Sequence, residues 1–422
     1  MSAPPLHVLV IGHAWPERSA SAAGGQLLQI LGGFRARGWH VTFGSPAARG
    51  ALRADLPALG IAEQSLEADA SPFMRFVAER APDVVLFDGF RMEEHFAGRV
   101  EQQCPNALRV LATTDLQSLS EARHVLLRRR LVQGLDPNDF RELFATSGPD
   151  LYRQMAPASL TRRELAAIHR SDLALVTSDV EIDLLVNGFG VPPALLHWCP
   201  PLLEAPAAAA KPFAEREHFI AIGNWRHAPD QDAALWMKHN IWPMIRRHLP
   251  EAQLHLHGSD LSPKAAELHD PAGGFLIHEH AGDTLEALGR ARVCLAPLRF
   301  GAGIKAHLAD AMLAGTPSVT TPIGSEAMHG ALPWPGLQSV TAEGLAQAAV
   351  SLYRDEARWN QAQRDARRLL DARYERNWHR RALVERIEQT LMELDDQRLY
   401  NFTGAMLRQH RLGGVDAADK CP

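Results

Sequence analysis

Two glycines, a lysine and an aspartate follow a short apolar run at a spacing that suits phosphate binding. The run Val293–Ala296 is predicted to be a strand, and Gly301, Gly303 and Lys305 come where a helix is predicted to begin. Glycines let backbone N–H groups approach a ligand, and a helix N-terminus with a lysine favours an anion. Asp310 lies about 140° further round that helix, within reach of a ribose diol. The alternative is an ordinary glycine-rich strand–helix turn.

The elements around this loop alternate between strand and helix in both halves of the chain. The predicted helices include Gly25–Arg37, Gln231–Leu249 and about Ile304–Ala314. The predicted strands are His7–Ile11, His40–Phe43, Val84–Phe87, Leu108–Ala112, Leu173–Thr177, Phe219–Ile222, Gln253–His257, Phe275–His278, Val293–Ala296 and Pro317–Thr320. The Pro- and Ala-rich stretch 200–217 interrupts the alternation and is predicted to be a linker. The pattern predicts two Rossmann-like, doubly wound α/β domains facing across a cleft, because ligands bind beyond the carboxyl ends of such strands. The predicted domains are 1–205 and 206–385, followed by a helical tail, 386–422, that packs back on the first.

Composition excludes several classes of protein. The 422 residues are 46% hydrophobic and 22% charged, as in soluble globular proteins. The 44 Lys+Arg and 49 Asp+Glu give a net charge of −5, so no general field attracts nucleic acid. No apolar run reaches the roughly 18 residues of a membrane helix. The four cysteines are scattered and the N-terminus is predicted to be a strand, which indicates a cytoplasmic protein. GxSxG and P-loop motifs are absent from the sequence. The first strand turn reads Gly12-His13-Ala14-Trp15 and not GxGxxG, which argues against a dinucleotide-binding dehydrogenase.

The stretch 296–328, APLRFGAGIKAHLADAMLAGTPSVTTPIGSEAM, resembles the donor-site signature of family-4 retaining glycosyltransferases of the GT-B fold. Their usual form is close to GxGIK…LEAMAxGxPVVxTxxGxE. Weaker similarities cover 222–243, 87–96, 113–119, 171–179 and 374–378, and Gly24-Gly25 matches the glycine pair that opens the first helix of such enzymes. The resemblance extends over roughly residues 6–395.

The resemblance implies a role for each matching residue. Gly301, Gly303 and Lys305 would hold the donor diphosphate, and Asp310 the ribose of the nucleotide. Gly324 and Glu326 would line the sugar or the phosphate. The acceptor-side loop would comprise His13, Gly24 and Gly25, and the catalytic residues would be Lys305, Asp115 and Asp310. Residues 120–165, which carry no motif, are predicted to be the acceptor region.

The sequence also departs from the family pattern. The usual pair of glutamates, eight positions apart, is replaced by Ala302 and Asp310. The arginine and lysine that clamp the diphosphate near the first strand of the C-terminal domain are replaced by Asn224 and by Pro229 or Asp230. Asn224 and Arg226 are the predicted donor-binding residues here, and Arg226 is the candidate substitute for this clamp. The histidine often found near the reaction centre aligns with Thr114, which leaves Asp115 as the nearest polar candidate.

Two further patterns could bind metal, but each has a simpler explanation. Asp230-Gln231-Asp232 spells DxD, the metal motif of the other large glycosyltransferase fold, yet it stands where an aspartate would cap a predicted helix. The pairs His255/His257 and His278/His280 could bind zinc, yet no third ligand is evident and partly exposed strand histidines are commoner. We therefore predict no metal.

Together these features predict transfer of a hexose-type sugar from a nucleoside diphosphate sugar to an unknown acceptor: a glycan, lipid, protein or small molecule. The resemblance implies retention, and without an evident nucleophilic carboxylate, front-face displacement assisted by the leaving diphosphate is favoured. No cofactor, metal or obligate protein partner is predicted. The basic run Arg128–Arg130 suits peripheral contact with the inner membrane surface, or simply a solvated helix face. The alternatives are a non-catalytic sugar-nucleotide-binding protein of the GT-B fold and a GT-B sugar-nucleotide epimerase.

Overall fold

The computed structural model describes residues 5–17, 22–50, 53–67, 70–146, 148–203, 210–259, 263–279 and 283–418. The chain divides into two compact units, and each is built from separate stretches of sequence. Unit 1 comprises Met1–Ser118, Ala156–Leu202 and Arg376–Pro422, and unit 2 comprises Leu119–Met155 and Leu203–Glu375.

The sheet of unit 1 is parallel, with seven strands in the order β3-β2-β1-β4-β5-β6-β7. The strands are β1 His7–Ile11, β2 His40–Ser45, β3 Ala62–Ser65, β4 Val84–Asp88, β5 Leu108–Thr113, β6 Leu173–Val176 and β7 Leu196–Trp198. The sheet of unit 2 is parallel, with six strands in the order β10-β9-β8-β11-β12-β13. These are β8 Glu217–Asn224, β9 Leu254–Ser259, β10 Phe275–His278, β11 Ala291–Ala296, β12 Ser318–Thr320 and β13 Gly336–Gln338.

The helices pack against the sheets or against one another. They are α1 Ala22–Ala36, α2 Ala70–Arg80, α3 Phe90–Gln103, α4 Gln117–Val132, α5 Arg141–Phe144, α6 Gly148–Met155, α7 Ser159–Arg170, α8 Asp179–Asp183, α9 Ala228–Trp236, α10 Trp242–His248, α11 Pro263–Ala266, α12 Thr284–Arg290, α13 Ala306–Leu313, α14 Pro322–Ser325, α15 Ala342–Arg354, α16 Glu356–Arg373, α17 Arg376–Met392, α18 Leu394–Tyr400 and α19 Phe402–Ala418. On α1, the apolar side chains predicted to share one face, Leu27, Leu31 and Phe34 among them, are buried in the core of unit 1. The predicted α/β class is confirmed, with two parallel sheets and helices between their strands.

The three strands that the sequence did not predict all lie at the edges of the sheets: β3, β7 and β13. They have three or four residues each, and β3 reads AEQS, without the apolar character of a central strand. An edge strand is paired on one side only and needs less apolar surface than a strand buried on both faces. The helix predicted over Gln231–Leu249 is present, because a π-helical turn, Met237–Ile241, joins α9 to α10. Pro243, which has no N–H to donate, lies in the first turn of α10.

The division of the chain differs from the predicted boundaries at 205 and 385. Residues 119–155 belong to unit 2, where Phe140 makes an edge-to-face contact with Trp236 at 5.0 Å. The Phe140 N–H also donates to Val340 O at 2.9 Å. These contacts explain why a segment from the N-terminal half is part of the second unit. At the other end, unit 1 resumes at Arg376, ten residues before the predicted start of the tail.

Candidate functional site

The topology of unit 2 changes direction between β8 and β11. From β8 the chain proceeds outward to β9 and β10, then returns to β11 on the other side of β8 and continues to β12 and β13. In open α/β sheets, ligands bind at this switch point, beyond the carboxyl ends of the strands. Asn224 ends β8 and Ala296 ends β11, so the loop that follows Ala296 lies at the switch point.

That loop contains the predicted phosphate-binding residues. Gly301 has φ +144° and Gly303 φ +65°, conformations that glycine adopts far more readily than other residues. Lys305 directly precedes α13 and is only 7% exposed. Its Nζ donates to the carbonyl oxygens of Ala302, at 3.0 Å, and Gly303, at 2.6 Å. The fold therefore holds an ammonium group inside a glycine-rich turn at the N-terminus of a helix, an arrangement that favours anions.

Glu326 shares an arginine with this turn, and the sequence analysis did not identify that arginine. Arg123, on α4, donates through Nη1 and Nη2 to the two carboxylate oxygens of Glu326, both at 2.7 Å. Its Nη1 also donates to Gly301 O at 2.8 Å. Burial opposes the charged form of Glu326, but Arg123 and then Lys305 hold the pKa of its carboxyl below the ordinary value. Four residues, Gly301, Lys305, Arg123 and Glu326, thus form one electrostatic cluster.

Asn224, Arg226 and Asp230, at and after the end of β8, are joined by hydrogen bonds within unit 2. The Asn224 side chain accepts from Arg226 N at 2.8 Å, and Asp230 Oδ2 accepts from Asn224 N at 2.8 Å. Asp230 is not the helix cap that the sequence predicted, because α9 begins at Ala228 and its N-cap is His227. The Arg226 side chain is exposed. These contacts shape the turn after β8 and give Asn224 a structural role whether or not it contacts a ligand.

Neither carboxylate of the DxD motif is left without a protein partner. Asp230 lies 3.3 Å from His227 Nδ1, and Asp232 forms a two-point ion pair with Arg299. Burial opposes the charge of Asp230, yet His227 and the nearby His307 hold the pKa of its carboxyl below normal. His307, on the first turn of α13, is a second residue at the switch point that the sequence did not single out.

Asp310 lies further along α13. Burial raises the pKa of its carboxyl to about 6. Burial, followed by the nearby Asp310 carboxylate, also raises the pKa of the Cys294 thiol, in β11, to about 12. Gly324, by contrast, has a packing reason to be glycine: a Cβ there would overlap Thr320 Oγ1 and lie 3.3 Å from Ala296 O.

Unit 1 has its own switch point, between β1 and β4. His13 follows β1, and its Nδ1 lies 3.1 Å from Oδ2 of Asp88, which ends β4. Gly24 and Gly25 lie in the first turn of α1, and a Cβ at Gly25 would meet no atom within 4 Å, so packing does not require that glycine. The predicted acceptor-side residues are therefore near the switch point of unit 1.

Asp115 follows β5 and lies close to Glu164 of α7. Glu164 is 4% exposed and its carboxylate accepts from Gln117 N at 2.8 Å and Ser118 N at 3.0 Å, at the start of α4. Burial and, to a smaller degree, Asp115 raise the pKa of Glu164 to about 7. The sequence did not identify this buried carboxyl group, since a single glutamate in a helix gives no local signal.

Three of the four histidines weighed as zinc ligands lie close together in the structure. His255 Nδ1 lies 3.0 Å from His278 Nε2, and His257 stacks on His278 at 4.7 Å, while His280 lies outside the described residues. Within the described ranges, no three His, Cys, Asp or Glu side chains form a group that could hold a metal ion. His255, His257 and His278 line a surface cavity together with His218 and several acidic residues.

The basic run on α4, Arg128–Arg130, is exposed to solvent. Among the described helices, none combines the length and the apolar character needed to cross a membrane.

The part of the chain that matches a known family lies within unit 2. Residues 216–355, which contain the turn 301–305 and Glu326, match the model of the family described as glycosyl transferases group 1. No curated protein matches the chain by sequence.

Solved structures are similar over most of the chain. HepE of Anabaena, in complex with UDP and glucose, has 12% identity and a TM-score of 0.65, covering 91% of this chain and 100% of HepE. A glycosyltransferase of Rickettsia africae has 11% identity and a TM-score of 0.62, covering 93% and 100%. Sucrose-phosphate synthase of Thermosynechococcus elongatus has 14% identity and a TM-score of 0.62, covering 92% and 99%. The chain has the GT-B fold of these proteins, and residues 216–355 match the model of the glycosyl transferases group 1 family.

Proposed function

We propose that this protein transfers a hexose-type sugar from a nucleoside diphosphate sugar to an acceptor, with retention of the anomeric configuration. The observation that carries the proposal is the buried ammonium of Lys305 in the Gly301–Gly303 turn, at the switch point of unit 2. Support comes from the family match, which includes this turn, and from the binding of UDP by the similarly folded HepE.

The reaction demands stabilisation of negative charge. The bond from the anomeric carbon to the diphosphate oxygen breaks, and the electron pair stays on the leaving diphosphate. Preorganised donors aimed at that charge are the most effective catalytic device in such a site. In this proposal Lys305 and the amides of the turn supply them without a metal, while the acceptor oxygen bonds to the same face of the anomeric carbon and its proton passes to the leaving diphosphate.

A second candidate function is binding of a sugar nucleotide without catalysis. Ala302 occupies the position of one family glutamate, and burial raises the pKa of Asp310, at the other, to about 6. A sugar-nucleotide epimerase is distinguished from both candidates by product analysis in the absence of an acceptor. Cytoplasmic location and peripheral membrane contact through Arg128–Arg130 stay predictions from the sequence.

A thermal-shift panel tests the proposed donor site. UDP, GDP, ADP and their common glucose and mannose conjugates are added with and without magnesium. At about 100 times Kd, a ligand adds roughly 2.7 kcal/mol of stability, which raises Tm by several degrees. A shift with one base that does not need magnesium supports the proposal and names the nucleotide for acceptor screens. No shift with any nucleotide would contradict it, and binding without turnover on any acceptor would favour the second candidate.

A further inference from the structure

We propose that the buried hydroxyl of Thr321 positions the donor site by holding two loops together in the geometry that binds the donor diphosphate. The loops are residues 297–301, after β11, and residues 321–326, after β12. This inference rests on the proposed function, because the glycine turn of the first loop and Glu326 of the second are predicted donor contacts. Thr321 acts through these residues, so it is a positioning residue and not a catalytic one.

The Thr321 hydroxyl takes part in two hydrogen bonds, one with each loop. It donates to Leu298 O, three residues before Gly301. It accepts from Gly324 N at 3.2 Å, two residues before Glu326. Thr321 is fully buried and is the N-cap of α14, the four-residue helix that leads to Glu326. One small polar group therefore joins the segment before the glycine turn to the segment before the glutamate.

The neighbouring threonine shows how closely the second loop lies on the first. The Thr320 hydroxyl donates to Ala296 O at 2.6 Å, at the end of β11. A Cβ at Gly324 would lie 3.3 Å from the same oxygen, so α14 rests directly on the end of β11. The start of the second loop is thus fixed to β11 by contacts with no room between them, and the Thr321 hydroxyl is part of that joint.

The far ends of the two loops also meet. Arg123 donates to Gly301 O at 2.8 Å and to both carboxylate oxygens of Glu326 at 2.7 Å. The glycine turn and Glu326 therefore lie on either side of one side chain. Their separation depends on the base of the loops as well as on Arg123, and the base is where the Thr321 hydroxyl binds.

Burial makes the hydroxyl decisive for the geometry of the loops. Without it, Leu298 O and Gly324 N would each lose a hydrogen-bond partner in the protein interior, which is costly for a backbone polar group. The loops would relieve this cost by turning those groups toward other partners, and Gly301 and Glu326 would move with them. A ligand binds more weakly in proportion to the fraction of molecules that keep the binding geometry.

Calorimetric titration with UDP, or with GDP or ADP if the wild type prefers it, tests the inference. Thr321→Val keeps the size of the side chain but removes the hydroxyl. It should weaken nucleotide binding by about 5- to 150-fold, the factor that corresponds to two neutral hydrogen bonds. Thr321→Ser keeps the hydroxyl and should bind the nucleotide with an affinity close to that of the wild type.

Thr316→Val is the matched control. Thr316 lies just before β12, whereas Thr321 directly follows it, and both are buried in unit 2. The Thr316 hydroxyl also takes part in two hydrogen bonds, donating to Leu288 O at 2.8 Å and accepting from Arg216 Nη1 at 2.6 Å. Thr316→Val should lower Tm at least as much as Thr321→Val does, without weakening nucleotide binding.

A milder substitution keeps the test open if Thr321→Val does not fold. Thr321→Cys replaces the hydroxyl with a thiol, which is only a weak donor and a weak acceptor. It should show a smaller loss of nucleotide affinity in the same direction, again compared with Thr321→Ser.

Each result has a separate meaning. Wild-type nucleotide affinity in a folded Thr321→Val, or in Thr321→Cys where it replaces that variant, would overturn the inference and leave the proposed function standing. An equal loss of affinity in Thr316→Val would also overturn it, because general destabilisation would then account for the effect. So would a Thr321→Ser variant as weak as Thr321→Val, since the hydroxyl would not be the cause. A wild-type protein that binds none of the three nucleotides would contradict the proposed function itself, and this inference with it.

Discussion

His13 Nδ1 lies 3.1 Å from Asp88 Oδ2, at the carboxyl ends of β1 and β4. The hydrogen bond to Asp88 raises the pKa of His13 above 6.5, against the opposing effects of burial and Arg91. Because the folded pKa is raised, the pair stabilises the fold below pH 6.5 and this contribution is lost as the pH rises through the folded pKa. The His13 side chain is 66% exposed, so the effect on total stability is small.

We expect Asp88→Asn to lower the pKa of His13, since the acceptor carboxylate is removed. An NMR titration of the imidazole resonances measures this directly, and His95, whose pKa is lowered by burial and Arg99, serves as an internal reference that should not change. An unchanged His13 titration in the variant would show that Asp88 does not set its pKa.

Lys305→Ala is expected to lower kcat/KM for the donor by about 10- to 150-fold, because a charge-assisted hydrogen bond contributes roughly 1.5–3 kcal/mol. Steady-state hydrolysis or transfer with the donor identified by the thermal-shift panel measures it. Lys238→Ala is the control, since Lys238 is also mostly buried in unit 2 and donates to Asp270 at 2.8 Å, away from the Gly301–Lys305 turn. Wild-type kinetics in Lys305→Ala would end the assignment of Lys305 to the diphosphate.

Asp310→Ala is expected to weaken binding of the nucleoside diphosphate but not of inorganic pyrophosphate, because the proposed contact is with the ribose. Calorimetry with both ligands separates this role from an indirect effect on the turn. Equal losses for the two ligands would argue for a general disturbance of α13. Equal affinity for the nucleotide in variant and wild type would rule out the ribose contact.

Glu164 should make the protein less stable as the pH rises from about 4.5 to about 7. Its folded pKa of about 7 exceeds the ordinary 4.5, so the folded state binds more protons than the unfolded state in this interval. At about 1.4 kcal/mol per tenfold change in proton affinity, the cost of ionisation is roughly 3 kcal/mol. Urea unfolding of the wild type and of Glu164→Gln at several pH values tests this. We expect the wild type to lose stability relative to the variant as the pH rises, and parallel pH profiles would contradict the prediction.

Gly324→Ala should lower the free energy of unfolding by about 1–3 kcal/mol, because the added methyl group overlaps the buried Thr320 side chain. Gly289→Ala is the matched control. Gly289 lies in α12 of the same unit, and a Cβ there meets no atom within 4 Å, so alanine should stabilise by roughly 0.4–1 kcal/mol. Thermal unfolding of both variants measures the contrast, and a neutral Gly324→Ala would show that the loop can relax.

The central elements of both units could be predicted from the sequence because their signals are local. A run such as VVLF in β4 is buried on both faces, and its apolar β-branched residues indicate that without knowledge of any partner. The turn at Gly301–Lys305 was predictable for the same reason, since its chemistry is contained in five consecutive residues. The short edge strands β3, β7 and β13 were missed because their own residues carry little apolar signal.

The sequence by itself therefore determined the α/β class, the core strands and the glycine–lysine turn. Only the tertiary structure decided which distant residues surround them. Arg123 reaches Glu326 across 203 residues, and His13 meets Asp88 across 75. It also decided that 119–155 is part of unit 2, because Phe140 finds its aromatic partner there. Periodicity in the sequence indicates which face of a helix or strand is buried. Which distant residue packs against that face depends on the path of the chain between the two elements.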